Sequence, residues 1–158
     1  MIGLIVARSK NNVIGKNGNI PWKIKGEQKQ FKELTTGNVV IMGRNSYDEI
    51  GRPLPNRETI VISNTKKYIG ENLHTASSVK EAIEFAKGKD VYIAGGYGVY
   101  KAIPLVDVMY ITEININVEQ GDVFFPEFDD NNFNISIVET SENNELFIRK
   151  IYRRKNKQ

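Results

Sequence analysis

Cysteine is absent from this 158-residue chain, and histidine occurs once, as His74. The first absence excludes disulfides, thiolate metal sites and cysteine nucleophiles. The second leaves too few ligands for a zinc site, so no bound metal is expected. A Ser-His-Asp triad would rest on a residue within the polar stretch "ENLHTASS", which reads as a surface loop, and no G-x-S-x-G turn accompanies it. Apolar runs fall far short of the ~20 residues that span a bilayer. The start, "MIGLIVARSK", has neither the basic opening nor the small-residue cleavage site of a signal peptide. A cytoplasmic protein with no membrane partner is expected. With metals and nucleophiles so scarce, an enzyme built on this sequence would draw its difficult chemistry from an organic cofactor.

What is present is ordinary in bulk: 40% hydrophobic and 26% charged residues, which suits one globular domain over residues 1–158. The net charge of +3 mildly favours anionic partners. Its densest basic run, "RKIYRRKNKQ", reads as a last strand followed by a short solvated tail. Neither an RNA-binding motif nor aromatic interleaving accompanies that run, so no nucleic acid is expected.

Short β-branched runs recur along the chain: "IGLIVA", "NVVIMG", "ETIVIS", "DVYIAGG", "DVMYITEI", "FNISIVE" and "LFIRKIY". Helical patterns lie between several of them, over Glu27–Thr36, Ser46–Ile50, Val79–Ala86 and Tyr97–Ile103. Such alternation predicts an α/β fold with a mostly parallel central sheet of about eight strands and flanking helices. The last strands lack intervening helices and predict a C-terminal antiparallel hairpin. Ser78, with Glu81 three residues on, marks a capped helix start.

Three local features point to chemistry. The first is a charge in an apolar stripe: Ile24, Phe31 and Leu34 recur at helical spacing, and Glu27 completes the row. Burying a lone carboxylate costs several kcal/mol, so its presence there asks for a ligand. The second is a pair of glycine turns, Gly43 after "VVIM" and Gly95, Gly96 and Gly98 after "VYIA", each between a strand and a helix. In a parallel sheet both emerge at the carboxyl edge, where ligands bind and backbone N–H groups meet phosphates. Neither is the dinucleotide fingerprint G-x-G-x-x-G. Arg44 and the segment "SNTKK" at residues 63–67 suit a 2′-phosphate, which favours NADP over NAD. The third is "GRPLPNR", where two prolines stiffen an apolar ridge ahead of Arg57, either a surface turn or a rigid carboxylate grip.

In order along the chain, "IPW", Glu27 with Phe31 four residues later, "IMGRNSYDEIGRPLPNR", "AGGYGVY", "YITEI" and "GDVFFPEF" resemble the dihydrofolate reductases, over residues 1 to about 154. The resemblance implies reduction of 7,8-dihydrofolate to 5,6,7,8-tetrahydrofolate by NADPH, with hydride reaching C6 and a proton reaching N5, in support of one-carbon metabolism. It implies that Glu27 meets the pterin amino group and ring nitrogen, that Thr112 bridges carboxylate and pterin, and that Trp22 orders a nearby water. Ile5, Ala7, Gln28, Phe31, Ile50, Leu54, Ala94 and Tyr100 match substrate-site positions, and Arg57 matches the grip on the glutamate α-carboxylate. Ala7, Ile14, Gly15, Asn19 and Ile20 match nicotinamide and loop contacts, the last two within a closing loop at residues 17–20. Gly43, Arg44, Asn45 and Ser46, then Ser63 and Asn64, then Gly95, Gly96, Tyr97, Gly98 and Val99 match the rest of the cofactor site, with a cis peptide at Gly95–Gly96. The implied partners are dihydrofolate and antifolate inhibitors, bound by a monomer. Departures from the family pattern are Glu27 where Asp is common in bacterial members, Gln28 for a usual leucine, Ala94 for a larger residue and Tyr97 for a small one. "KGEQ" is similar to members insensitive to trimethoprim, so weak trimethoprim inhibition is expected. A reductase of the same fold acting on a ribosyl-aminopyrimidine would lack Glu27 and Arg57, and a basic nucleic-acid module would leave Glu27 unexplained.

Overall fold

The apolar runs become strands because each can bury both of its faces. In a computed structural model, which describes residues 1–16, 21–22, 29–141 and 146–155, β3 (Val39–Gly43) splits its side chains between two cores. Val39 and Ile41 join one cluster with Leu4, Ile60, Ile93 and Met109, while Val40 and Met42 join another with Tyr47, Val61 and Leu73. That is the two-residue period of a strand covered on both sides. β4 (Glu58–Ile62) repeats the division with Ile60 and Val61.

The remaining strands are β1 (Ile2–Ser9), β2 (Val13–Gly15), β5 (Leu73–Ala76), β6 (Val91–Ile93), β7 (Val108–Ile114), β8 (Val123–Phe124), β9 (Phe133–Thr140) and β10 (Phe147–Arg154). Helices α1 (Lys29–Thr35), α2 (Arg44–Ile50), α3 (Val79–Phe85) and α4 (Tyr97–Tyr100) flank them. Eight strands form one sheet in the order β5-β4-β3-β6-β1-β7-β10-β9, and β2 pairs with β8 separately. Every ladder from β5 to β7 is parallel, and β10 runs antiparallel to β7 and β9. The parallel sheet with its antiparallel finish is as the sequence predicts.

β1 sits between β6 and β7, with Ala7 opposite Thr112 and Arg8 opposite Glu113. Arg8 Nη2 lies 2.9 Å from Glu113 Oε1, and Nε donates to both carboxylate oxygens at 3.2 Å. This bidentate pair ties the two strands one step beyond Ala7 and Thr112.

Sequence reading and structure part at several places. The stretch holding His74 is a strand and not a loop: β5 places Leu73 and Ala76 inward and leaves His74 half-buried, its ring 4.7 Å from that of Phe85. Four residues at a sheet edge need too few apolar positions to announce themselves. The helix expected over Tyr97–Ile103 is divided into α4 and a 3₁₀ turn at Ile103–Leu105. Pro104 has no N–H to continue an α-helical ladder, and it stands at the start of the new turn. α2 begins at Arg44, directly after Gly43, two residues sooner than expected. α3 matches its expected span, and Ser78 Oγ accepts from Glu81 N at 3.1 Å. The Glu81 carboxylate returns to Ser77 rather than to Ser78. No helix among the described residues is long and apolar enough to cross a membrane.

Candidate active site

The two glycine turns lie side by side. β3 and β6 are parallel neighbours, so both chains leave the sheet at the same edge, and Gly43 N donates to Gly95 O at 2.8 Å. The Gly95–Gly96 peptide is cis, as the family resemblance implies. Gly95 has φ +117°, and a Cβ there would meet Tyr100 Oη at 3.2 Å. A Cβ on Gly96 would stand 3.4 Å from Ser46 Oγ, while one on Gly98 would meet nothing within 4 Å. The result is a stretch of backbone free of side chains, half-buried at Gly43 and Gly96 and exposed at Gly98, which suits a pyrophosphate approaching amide groups closely. Tyr97, the first residue of α4, is 46% exposed, and Lys101 Nζ lies 4.9 Å from its ring centre, while Val99 is buried.

Tyr100 ties this turn to β1. Its hydroxyl donates to Ile5 O at 2.9 Å, and its ring meets that of Phe125 edge-on. Ile5 is buried and Ala7 half-buried on β1, Thr112 is buried opposite Ala7, and Ile14 packs at the rim of the larger core. Gly15, on β2, accepts from Asp122 N at 3.2 Å. Phe31, Leu54 and Ala94 all pack around the smaller core, whereas Ile50 is 40% exposed. Trp22 Nε1 is buried and has no acceptor among the described residues.

Arg57 is the second anchor. It is 8% exposed, Nε donates to Pro55 O at 2.9 Å, and Nη1 donates to Thr35 Oγ1 at 2.8 Å. Thr35 is fully buried at the end of α1, and its hydroxyl donates a hydrogen bond to Phe31 O at 2.7 Å. No carboxylate among the described residues pairs with Arg57, and burial alone draws its guanidinium below the ordinary value. A buried cation in that state is costly unless an anion arrives from outside. Thr35 was missed in the sequence. Its signal was faint, a hydroxyl four residues after Phe31 on the inner face of a helix.

At the far end of the glycine turns Arg44 meets the "SNTKK" segment, with Nη1 donating to Thr65 Oγ1 at 2.7 Å. Ser63 is half-buried and its Oγ accepts from Lys66 N at 3.0 Å, while Asn45 and Asn64 are exposed. Asp48 and Tyr68 gather here beside Lys66 of that segment, and sequence reading named neither Asp48 nor Tyr68 as part of a site. Asn19, Ile20, Glu27 and Gln28, together with the closing loop at residues 17–20, lie outside the described residues.

The chain matches the family model described as dihydrofolate reductase over residues 1–154. It is 37% identical over 158 residues to the dihydrofolate reductase type A13 of Escherichia coli, covering 98% of this chain and 95% of that one. It is 36% identical over 137 residues to the dihydrofolate reductase of Bacillus subtilis, covering 85% of this chain and 81% of the relative. A solved structure of dihydrofolate reductase from Enterococcus faecalis, complexed with NADP(H) and RAB-propyl, superposes with a TM-score of 0.85. That pair shares 35% identity over 99% of this chain and 97% of the other. Sheet order, paired glycine turns, sequence and superposition therefore agree: the chain belongs to the dihydrofolate reductase family, whose members are NADPH-dependent oxidoreductases.

Proposed function

We propose that this chain, as a single cytoplasmic domain acting as a monomer, reduces 7,8-dihydrofolate to 5,6,7,8-tetrahydrofolate for one-carbon metabolism. The observation that carries the substrate assignment is Arg57: a buried, doubly braced guanidinium with no acidic partner among the described residues. Such a group suits the α-carboxylate of a glutamate tail. Phe31, Leu54 and Ala94, which pack on one core cluster, would supply apolar walls for the pterin and benzoyl groups.

NADPH fits the bare backbone at Gly43 and Gly95–Gly98, with Ser46 beside it and Arg44, Ser63 and Asn64 at the adenosine end. When bound, it supplies the hydride that reaches C6 of the pterin. The chain's own residues do the rest. Ala7 and Ile14 flank the nicotinamide, and Glu27 accepts hydrogen bonds from the pterin amino group and ring nitrogen. Thr112 links that carboxylate to the ring. The orphaned Trp22 Nε1 is a donor suited to an ordered water, and through such a water Glu27 promotes protonation at N5. Asn19 and Ile20 belong to the loop that excludes solvent during transfer.

The test is direct. Folded protein is mixed with NADPH, and the loss of its absorbance is followed with and without dihydrofolate. Oxidation that depends on dihydrofolate is expected, and its absence overturns the proposal.

A further inference from the structure

A carboxylate stands among the cations at the adenosine end. Asp48 lies on α2, four residues after Arg44, with Oδ2 3.8 Å from Arg44 Nε. Its Oδ1 accepts a 2.8 Å hydrogen bond from Tyr68 Oη and lies 4.0 Å from Lys66 Nζ. Arg44, Asp48 and Lys66 are exposed, but Tyr68 is 7% exposed and packs edge-on against Tyr47 at 5.1 Å between ring centres. The Lys66 ammonium sits over the Tyr68 ring at 5.0 Å. Burial, and then the hydrogen bond to Asp48, raise the Tyr68 phenol above its ordinary value, so the donor keeps its proton. Asp48 is thus held at one oxygen by a rigid, buried group.

Both ion pairs are long, exposed and worth little as structural supports. Arg44 also has a shorter anchor of its own in Thr65. What Asp48 contributes here is a fixed negative charge beside two cations. We propose that Asp48 is a specificity-determining residue for the cofactor: its carboxylate, pinned by Tyr68, offsets the attraction of Arg44 and Lys66 for a 2′-phosphate and so limits the preference for NADPH over NADH. The inference rests on the reading of Arg44, Ser63 and Asn64 as the adenosine end, and deepens it by giving Asp48 and Tyr68 a part in that choice.

The size follows from Coulomb's law. Repulsion between a carboxylate and a dianion about 8 Å away in water amounts to a roughly two- to five-fold loss of affinity at low to physiological salt. It is screened out at about 1 M salt, where the Debye length is ~3 Å. NADH carries a hydroxyl in place of the phosphate and feels none of it.

Asp48→Asn keeps an acceptor for Tyr68 and removes the charge. Dissociation constants of NADPH and NADH are measured on the full chain by quenching of intrinsic fluorescence, at about 20 mM and about 1 M salt. The variant is expected to bind NADPH about two- to five-fold more tightly than the unmodified protein at the lower salt, with no difference at the higher. NADH affinity is expected to be the same in the two proteins at each salt concentration, and so reports an intact fold. An unchanged preference for NADPH, taken as the ratio of Kd for NADH to Kd for NADPH, or weaker NADPH binding, overturns the role of Asp48. Arg44→Ala in the same titration separates the two levels: if it leaves the ratio alone, the assignment of the adenosine end is itself wrong. If it lowers the ratio while Asp48→Asn does nothing, only Asp48 loses its role.

Discussion

The guanidinium of Arg57 hangs from the hydroxyl of Thr35, 2.8 Å from Nη1 to Oγ1, and that hydroxyl is oriented by its own bond to Phe31 O. The position of the cation proposed to hold the substrate's carboxylate is therefore set by the last turn of α1. Thr35→Val keeps the volume and removes the acceptor. We expect KM for dihydrofolate to rise about five- to thirty-fold, from the loss of roughly 1–2 kcal/mol at a charged hydrogen bond, with kcat within about two-fold. Arg57→Lys should raise KM by about ten- to 150-fold, since a bidentate fork becomes a single point of charge. A pterin substrate without the glutamate tail should be indifferent to both changes. If Thr35→Val leaves KM for dihydrofolate where it was, the brace has no part in binding.

Glu27→Gln keeps shape and part of the hydrogen bonding but removes the charge. Turnover at neutral pH should fall by two or more orders of magnitude, in line with general acid–base contributions of about 10²–10⁴. Activity should recover partly in acid, where protonated substrate brings its own N5 proton. A pH–rate profile of the variant is the measurement, and a near-normal rate at neutral pH would remove Glu27 from the mechanism.

Inhibitors probe the departures in the pocket. Ala94 packs on the same core as Phe31 and Leu54 and offers only a methyl group to press on a bound ring. Glu27 is also one methylene longer than aspartate, and Gln28 replaces an aliphatic residue. Two or three missing methylene-sized contacts amount to roughly 1.5–2.5 kcal/mol, or about ten- to seventy-fold in affinity. Trimethoprim should bind weakly and methotrexate, with a glutamate tail for Arg57, tightly. Ala94→Ile and Glu27→Asp should each strengthen trimethoprim. Inhibition constants for both drugs decide the matter, and equal tightness in the unmodified protein would sink the idea.

Alkali should unfold the protein through its buried phenols. Burial is the leading cause of the raised values of Tyr68, Tyr92 and Tyr152. Unfolded tyrosine titrates near pH ~10, so the folded state holds these protons more tightly than the unfolded chain does. The associated stability is fully present below about pH 10 and is lost as pH rises through the folded values. Urea midpoints should hold steady up to about pH 9.5 and then decline, and Tyr92→Phe should flatten the decline. A decline equally steep in that variant would place the alkaline weakness elsewhere.

The fold was legible wherever two faces had to be buried. "VVIM" and "TIVI" fit strands covered on both faces, and Ser78, with Glu81 three residues on, fits a helix cap. The glycine turns were legible as turns, but their contact through Gly43 N and Gly95 O required the strand order β3-β6, which no local pattern encodes. β5, β2 and β8 escaped because edge pieces of two to four residues carry too little periodicity. Thr35 and the Asp48–Tyr68 pair escaped for another reason. Hydroxyls and carboxylates are common on helix surfaces, and only tertiary packing gives these a buried partner.

β1 has a consequence during synthesis. Its neighbours β6 and β7 come late, and Arg8 and Glu113, which face one another across its ladder, are 105 residues apart. At roughly 5–20 residues per second, the segment bearing Ile5 and Ala7 spends about 5–20 s outside the ribosome with no strand to pair with. Pairings of such long sequence separation are also slow to form once the chain is free. A translation product cut short before Val108 would hold both glycine turns and Arg57 and still lack β7, the strand that sets Thr112 opposite Ala7. It would instead carry an apolar ribbon with an open edge, the kind of surface on which chaperones act and aggregates grow.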